Sequence, residues 1–196
     1  MKTRIFATTA LLTLAASAAL AQGTATTVQR DLNQQNRIEQ GLQNGSLNTK
    51  EAGHLEREQS NIDRLQARAL KNGSLSPQER AKLEQAQNRA SHDIHAAENN
   101  GATGNPQSAS SQRMQADVQR NVNQEKRVEQ GVKSGALTNR EAGALERGQA
   151  RDDHAQAHAA QDGHVTAHEQ ARVQHREGNQ SSRIYAQKHN ARKHKV

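Results

Sequence analysis

Between Val28 and Ala97 apolar side chains fall three or four residues apart, with polar residues filling the gaps. Val28, Leu32, Ile38 and Leu42 form one stripe, Leu55, Ile62, Leu65 and Ala69 a second, and Leu83, Ala90, Ile94 and Ala97 a third. This spacing returns side chains to one face of a 3.6-residue helix, so it predicts three amphipathic helices; strands would alternate with period two. Ala, Gln, Glu, Arg and Lys fill most other positions and favour helix intrinsically. The prolines, Pro77 and Pro106, stand outside every stripe.

The pattern then recurs. Residues 28–100 align without a gap onto residues 118–190, with identity at roughly 29 of 73 positions. VQRDLNQQNRIEQG matches VQRNVNQEKRVEQG, and EAGHLERE matches EAGALERG. A fainter period of about 28 residues lies inside each copy. The reading is an all-α chain of two tandem three-helix units, residues 22–98 and 112–196. Between them, residues 99–111 carry the Gly, Asn, Ser and Pro of a flexible linker.

Four corners join the predicted helices. In KNGSLSPQERAKLEQ, Gly73 supplies a left-handed residue that ends one helix, and Leu75 folds back on its last turn. Ser76 then caps the next helix, Pro77 occupies its first position and Glu79 closes a capping box. The other corners repeat this logic with Gly45, Asn48 and Glu51, with Gly135, Thr138 and Glu141, and with Gly163, Thr166 and Glu169.

Composition narrows the function classes. Leu, Ile, Val, Phe and Met make up only about one residue in seven beyond the first 21, a poor inventory for a deep apolar pocket. The absence of Cys excludes thiol chemistry, iron-sulfur clusters and cysteine zinc sites. No GxSxG, HExxH, phosphate loop or dinucleotide fingerprint is present, so a non-enzymatic protein is expected. The opening MKTRIFATTALLTLAASAALAQ places Lys2 and Arg4 before an apolar run that ends in Ala19-Leu20-Ala21. Residues 1–21 therefore read as a secretory signal, and the rest as an exported, periplasmic or extracellular chain with no membrane span. The whole chain carries a formal charge of +7, which favours anionic partners. Arg183, Lys188, Arg192, Lys193 and Lys195 concentrate this charge in a C-terminal tail. Without stacking aromatics, nucleic acid is a poor partner; an anionic envelope component or a protein fits better.

Candidate metal chemistry sits in the second unit. His154 and His158 are four apart, as are His164 and His168, and His175 follows seven residues after His168. On a helix these spacings share a face, and paired imidazoles bind Zn, Cu or Ni weakly. In the first unit the matching positions are Arg64, Arg68, Ser74, Gln78 and Gln85, which marks this as a solvated face. The second unit also holds Asp152, Ala155 and Ala160 where the first has Ile62, Leu65 and Leu70, so it is expected to be the looser of the two.

Two resemblances follow from the corners. Glycine, aliphatic and glutamate at Gly73, Leu75 and Glu79, and at the three matching sets, resemble the second half of an EF-hand loop, which would imply calcium binding. The early acidic ligands of such a loop are missing, with Gln40, Arg68, Gln130 and His158 at the first position, and only Asp162 is acidic. LSPQERAKLEQ, residues 75–85, resembles the LTxxQ motif of the Spy and CpxP family of periplasmic helical stress proteins, with Ser76 for the Thr and Glu79 for the Gln. That resemblance implies an envelope-stress accessory or client-binding role. The methionine-bearing surface of such proteins has little counterpart, since Met114 is the one Met beyond the leader.

Overall fold

The computed structural model describes residues 11–190, with side chains described from residue 23 onward. Residues 1–10, which hold Lys2 and Arg4 of the segment read as a signal, and residues 191–196, which end the basic tail, lie outside the described residues. Six α-helices and no strand occur among the described residues. They are α1 (Leu11–Asn44), α2 (Thr49–Ala69), α3 (Pro77–Glu98), α4 (Ala109–Lys133), α5 (Asn139–Ala159) and α6 (Ala167–Lys188), with a short 3-10 turn at Leu70–Asn72 after α2. The all-α class read from the stripes is the class the chain adopts.

Each corner is built as its residues dictate. Gly45, Gly73, Gly135 and Gly163 take φ of 81°, 91°, 71° and 89°, a region a side chain strongly disfavours. Asn48, Ser76, Thr138 and Thr166 then cap α2, α3, α5 and α6, each in a complete capping box with Glu51, Glu79, Glu141 or Glu169. At the first, the Glu51 N–H donates to Asn48 Oδ1 and the Asn48 N–H donates to Glu51 Oε2, both at 3.0 Å. Such a cap contributes about 1 kcal/mol. Hydrogen bonds from Ser76 and Thr166 hold the Glu79 and Glu169 carboxyls below their usual range. The glutamates that would close an EF-hand loop thus accept from backbone, and the corner aliphatics Leu47, Leu75, Leu137 and Val165 are buried.

The segment read as a flexible linker is tied down. Its Gly104 N–H donates to Gly45 O at 2.8 Å, Asn100 Nδ2 donates to Glu51 Oε1 at 2.7 Å, and α4 already begins at Ala109. The end of the second copy is fastened in the same way, by Asn190 Nδ2 to Glu141 Oε1 at 2.6 Å.

The helices from the two copies interleave. α2 runs antiparallel to α5 and α1 to α4, while α3 covers α1 and α2, and α6 covers α4 and α5. α2 and α5 cross closely because Gly53 and Gly143 have no side chains. A Cβ on Gly53 would lie 2.6 Å from Ala160 Cβ, and one on Gly143 would lie 2.7 Å from Leu70 Cβ. Since 143 is 53 plus 90 and 160 is 70 plus 90, these are the same contact seen from either copy.

Two apolar clusters cap the ends of this assembly, and each draws on both copies. One joins Val28, Leu70, Leu75 and Leu83 to Val128, Leu137, Leu145 and Ile184. The other joins Ile38, Leu47, Leu55 and Ile94 to Val118, Ala160, Val165 and Val173. Between them the bundle interior is polar.

Candidate functional sites: a buried carboxylate layer and an arginine groove

The polar interior arises from stripes that run beside the apolar ones. On α2, Glu56, Gln59, Asp63 and Gln66 recur at three-to-four spacing, and Glu146, Gln149, Asp153 and Gln156 do so on α5. Asp31 and Gln35 on α1 face them, as do Asn121 and Glu125 on α4, while Gln34 and Gln124 donate to the backbones of α3 and α6 at Gln87 O and Glu177 O; all these side chains are buried. Six are acids: Asp31, Glu56, Asp63, Glu125, Glu146 and Asp153. Among the described residues no Lys, Arg or His is buried, so the layer has no internal base to neutralise it.

Burial is the largest cause acting on each carboxyl and disfavours its charged form. It raises Asp31 to about 7 and Glu56 and Glu125 to about 8. Asp63, Glu146 and Asp153 are pushed well above the carboxylate range by burial and then by neighbouring acids. Oxygens of Asp31, Asp63 and Glu146 converge within 4.8 Å of one another, the one grouping of three potential metal ligands among the described residues. All donors there are hard oxygens, chemistry suited to Mg²⁺, Ca²⁺ or Mn²⁺.

A second feature lies on the surface between α5 and α6, with Arg64 of α2 on its rim. Arg64, Arg151, Arg172, Arg176, His154, His158 and Glu169 rim a groove of about 360 Å³ floored by Ala155, Ala159 and Val173. It continues past Arg176 and Arg183 along one side and past His168 and His175 along the other. No carboxylate stands within 4 Å of these five guanidinium groups among the described residues. Beneath them Asp152 is buried, and desolvation outweighs the nearby Arg176, Arg151 and Arg183 to raise its carboxyl to about 7. Ala155 on its floor stands where the first copy has Leu65, so a smaller side chain leaves room at that point.

The histidines singled out from sequence are exposed. His154 and His158 share the groove rim, His168 and His175 share its extension, and His164 sits in the last corner, its N–H bonded to Asp162 Oδ1 at 2.8 Å. The converging ligand set lies instead at Asp31, Asp63 and Glu146, which sequence reasoning missed. One signal for it was available: Glu56, Gln59, Asp63 and Gln66 are identical in both copies at helical spacing. Comparison of the chain with protein-family models, curated proteins and solved structures returns no match.

Proposed function

We propose that this is a non-enzymatic, exported helical protein that binds an anionic component of the cell envelope through the arginine groove. The observation that carries this reading is the set of five arginines with no ion-pair partner within 4 Å, gathered along one furrow from α2, α5 and α6. Guanidinium groups match phosphate and carboxylate geometry, and the floor of Ala155, Ala159 and Val173 accepts an apolar portion of such a ligand. Lys188, and the tail beyond it, extend the same charge. An envelope-stress accessory role, as the LTxxQ resemblance implies, is compatible with binding of this kind.

The test is co-sedimentation of the chain without its leader with phosphatidylglycerol vesicles, together with titration of labelled polyphosphate, at low and high salt. Arg151→Ala/Arg172→Ala/Arg176→Ala is expected to weaken binding about tenfold or more and to flatten its salt dependence. Equal affinity of variant and parent would refute the groove as the site. A transition-metal role for His154 and His158, one turn apart on the same rim, predicts a different outcome: Zn²⁺ affinity in calorimetry that His154→Ala/His158→Ala abolishes.

A further inference from the structure

The carboxylate layer contains its own control. Positions 90 residues apart occupy equivalent places, so the layer divides into two matching halves. In one half, Asn121 Nδ2 donates to Asp153 Oδ1 at 2.7 Å and Gln35 Nε2 donates to Glu56 Oε2 at 3.0 Å. Each buried acid there meets an amide donor, as buried acids require. In the other half Asp31 replaces that Asn and Glu125 replaces that Gln. Asp31 with Asp63, and Glu125 with Glu146, therefore set acid against acid where the twin half sets amide against acid; the one amide donor bonded there is Gln87 Nε2, to Asp31 Oδ1 at 2.7 Å, which leaves Oδ2 facing the other acids.

Single orphaned oxygens occur in both halves, Oε1 of Glu56 and Oδ2 of Asp153 among them, but among the described residues only Glu146, in the acid-rich half, has a buried carboxyl with neither oxygen partnered. Both oxygens of Glu146, Oδ2 of Asp31 and Oε2 of Glu125 are buried without a hydrogen-bond partner, and Glu146 is 0 % exposed. The Gln66 amide lies beside Glu146 and the Gln149 amide beside Glu125. Both amides are buried, yet neither closes a hydrogen bond of sound geometry. The converging oxygens of Asp31, Asp63 and Glu146, the unpartnered carboxyl of Glu146, the neighbouring Glu125 and slack amides at the edge together make a set of hard cation ligands; in the twin half each acid keeps one amide donor.

We propose that Asp31, Asp63, Glu125 and Glu146 bind one hard divalent cation, of the Mn²⁺, Mg²⁺ or Ca²⁺ class, at the centre of the bundle. The side-chain amides of Gln66 and Gln149 lie beside Glu146 and Glu125, and turned so that oxygen faces the ion they would complete an all-oxygen set. The cation supplies the positive charge that no buried side chain provides, and it displaces protons, so affinity rises with pH. The site is independent of the arginine groove.

The experiment uses the full chain without its leader, unfolded with chelator and refolded at pH 8 with Mn²⁺, Mg²⁺ or Ca²⁺ because the site is enclosed. The metal retained after desalting and the Tm are then measured. About one cation per chain is expected, with Tm raised by about 5 °C or more at saturation. Asp31→Asn/Glu125→Gln installs the donors of the twin half. It is expected to retain no cation, to show no cation-dependent rise in Tm, and to melt above the metal-free parent at pH 8. Asp31→Asn alone is expected to weaken binding at least about tenfold. Failure of the parent to retain or respond to any of the three cations would mean that protons alone neutralise the layer, and would overturn the proposal. So would retention by the double variant equal to that of the parent.

Discussion

Residue by residue, the six carboxyls of the layer tie folding to pH, and buried Asp117 and Asp152, raised to about 7, and Glu177, raised to about 9, act in the same direction. Their unfolded values lie near 4, while burial raises Asp31 to about 7, Glu56 and Glu125 to about 8, and Asp63, Glu146 and Asp153 well above the usual range. A raised folded value means that the neutral form belongs to the folded state. Its contribution is complete below pH 4 and is lost as pH climbs through the folded values. Facing these groups, α1 adds Arg30, whose charge favours ionised Asp31, and α5 adds Asp152, which disfavours ionised Asp153. Asp63 and Asp153 also hydrogen-bond to each other, and the neutral amides of Gln35, Gln66, Gln87, Asn121 and Gln149 stand beside the acids. The metal-free protein is thus expected to lose about 10 °C or more in Tm between pH 5.5 and 8.5, at roughly 2–4 °C per kcal/mol for a chain of this size. A flat profile in calorimetry would contradict the assignment. Glu79 and Glu169 act with the opposite sign, since their lowered values add stability that disappears as pH falls below the unfolded value. Such roles were unevenly legible in the sequence. The capping glutamates could be read because a cap is local, whereas Glu56 and Asp63 look like a solvated stripe until α4 and α5 close over them.

Among the helices, the same division holds. Starts and stops followed from glycine, cap and glutamate, and ten of the twelve stripe residues named from periodicity are buried, with Leu65 and Ala97 partly so. Which helix would meet which was not encoded locally. The pairing of α2 with α5 rests on Gly53 and Gly143, which in sequence are merely helix-weakening residues. Placing valine at Gly53 would drive a side chain into Ala160, from which even its Cβ would stand only 2.6 Å. Gly53→Val is therefore expected to cost about 1–3 kcal/mol through overpacking. Gly178 serves as the control, because a Cβ there would meet nothing within 4 Å. Gly178→Ala should accordingly be neutral or slightly stabilising in denaturant unfolding.

Across the chain as one body, both apolar clusters are shared between the copies. Residues 22–98 expressed alone would expose half of each cluster and the entire polar stripe of α2. This fragment is expected to be largely unfolded as a monomer, or to pair with a second fragment in the arrangement that α1 and α2 adopt against α4 and α5. Circular dichroism and sedimentation would decide, and a stable, helical monomer would exclude this view. Such a self-paired fragment would be strictly symmetric, and symmetry forbids what the fused chain achieves. Two first copies would oppose Asp31 and Asp63 to Gln35 and Glu56, and two second copies would oppose Glu125 and Glu146 to Asn121 and Asp153. Pairing unlike twins, here by covalent fusion, gathers four acids on one side of the axis and leaves acids with amide donors on the other. The short tether from Asn99 to Ser108 thus does more than connect, because it licenses a difference between halves that no homodimer can sustain.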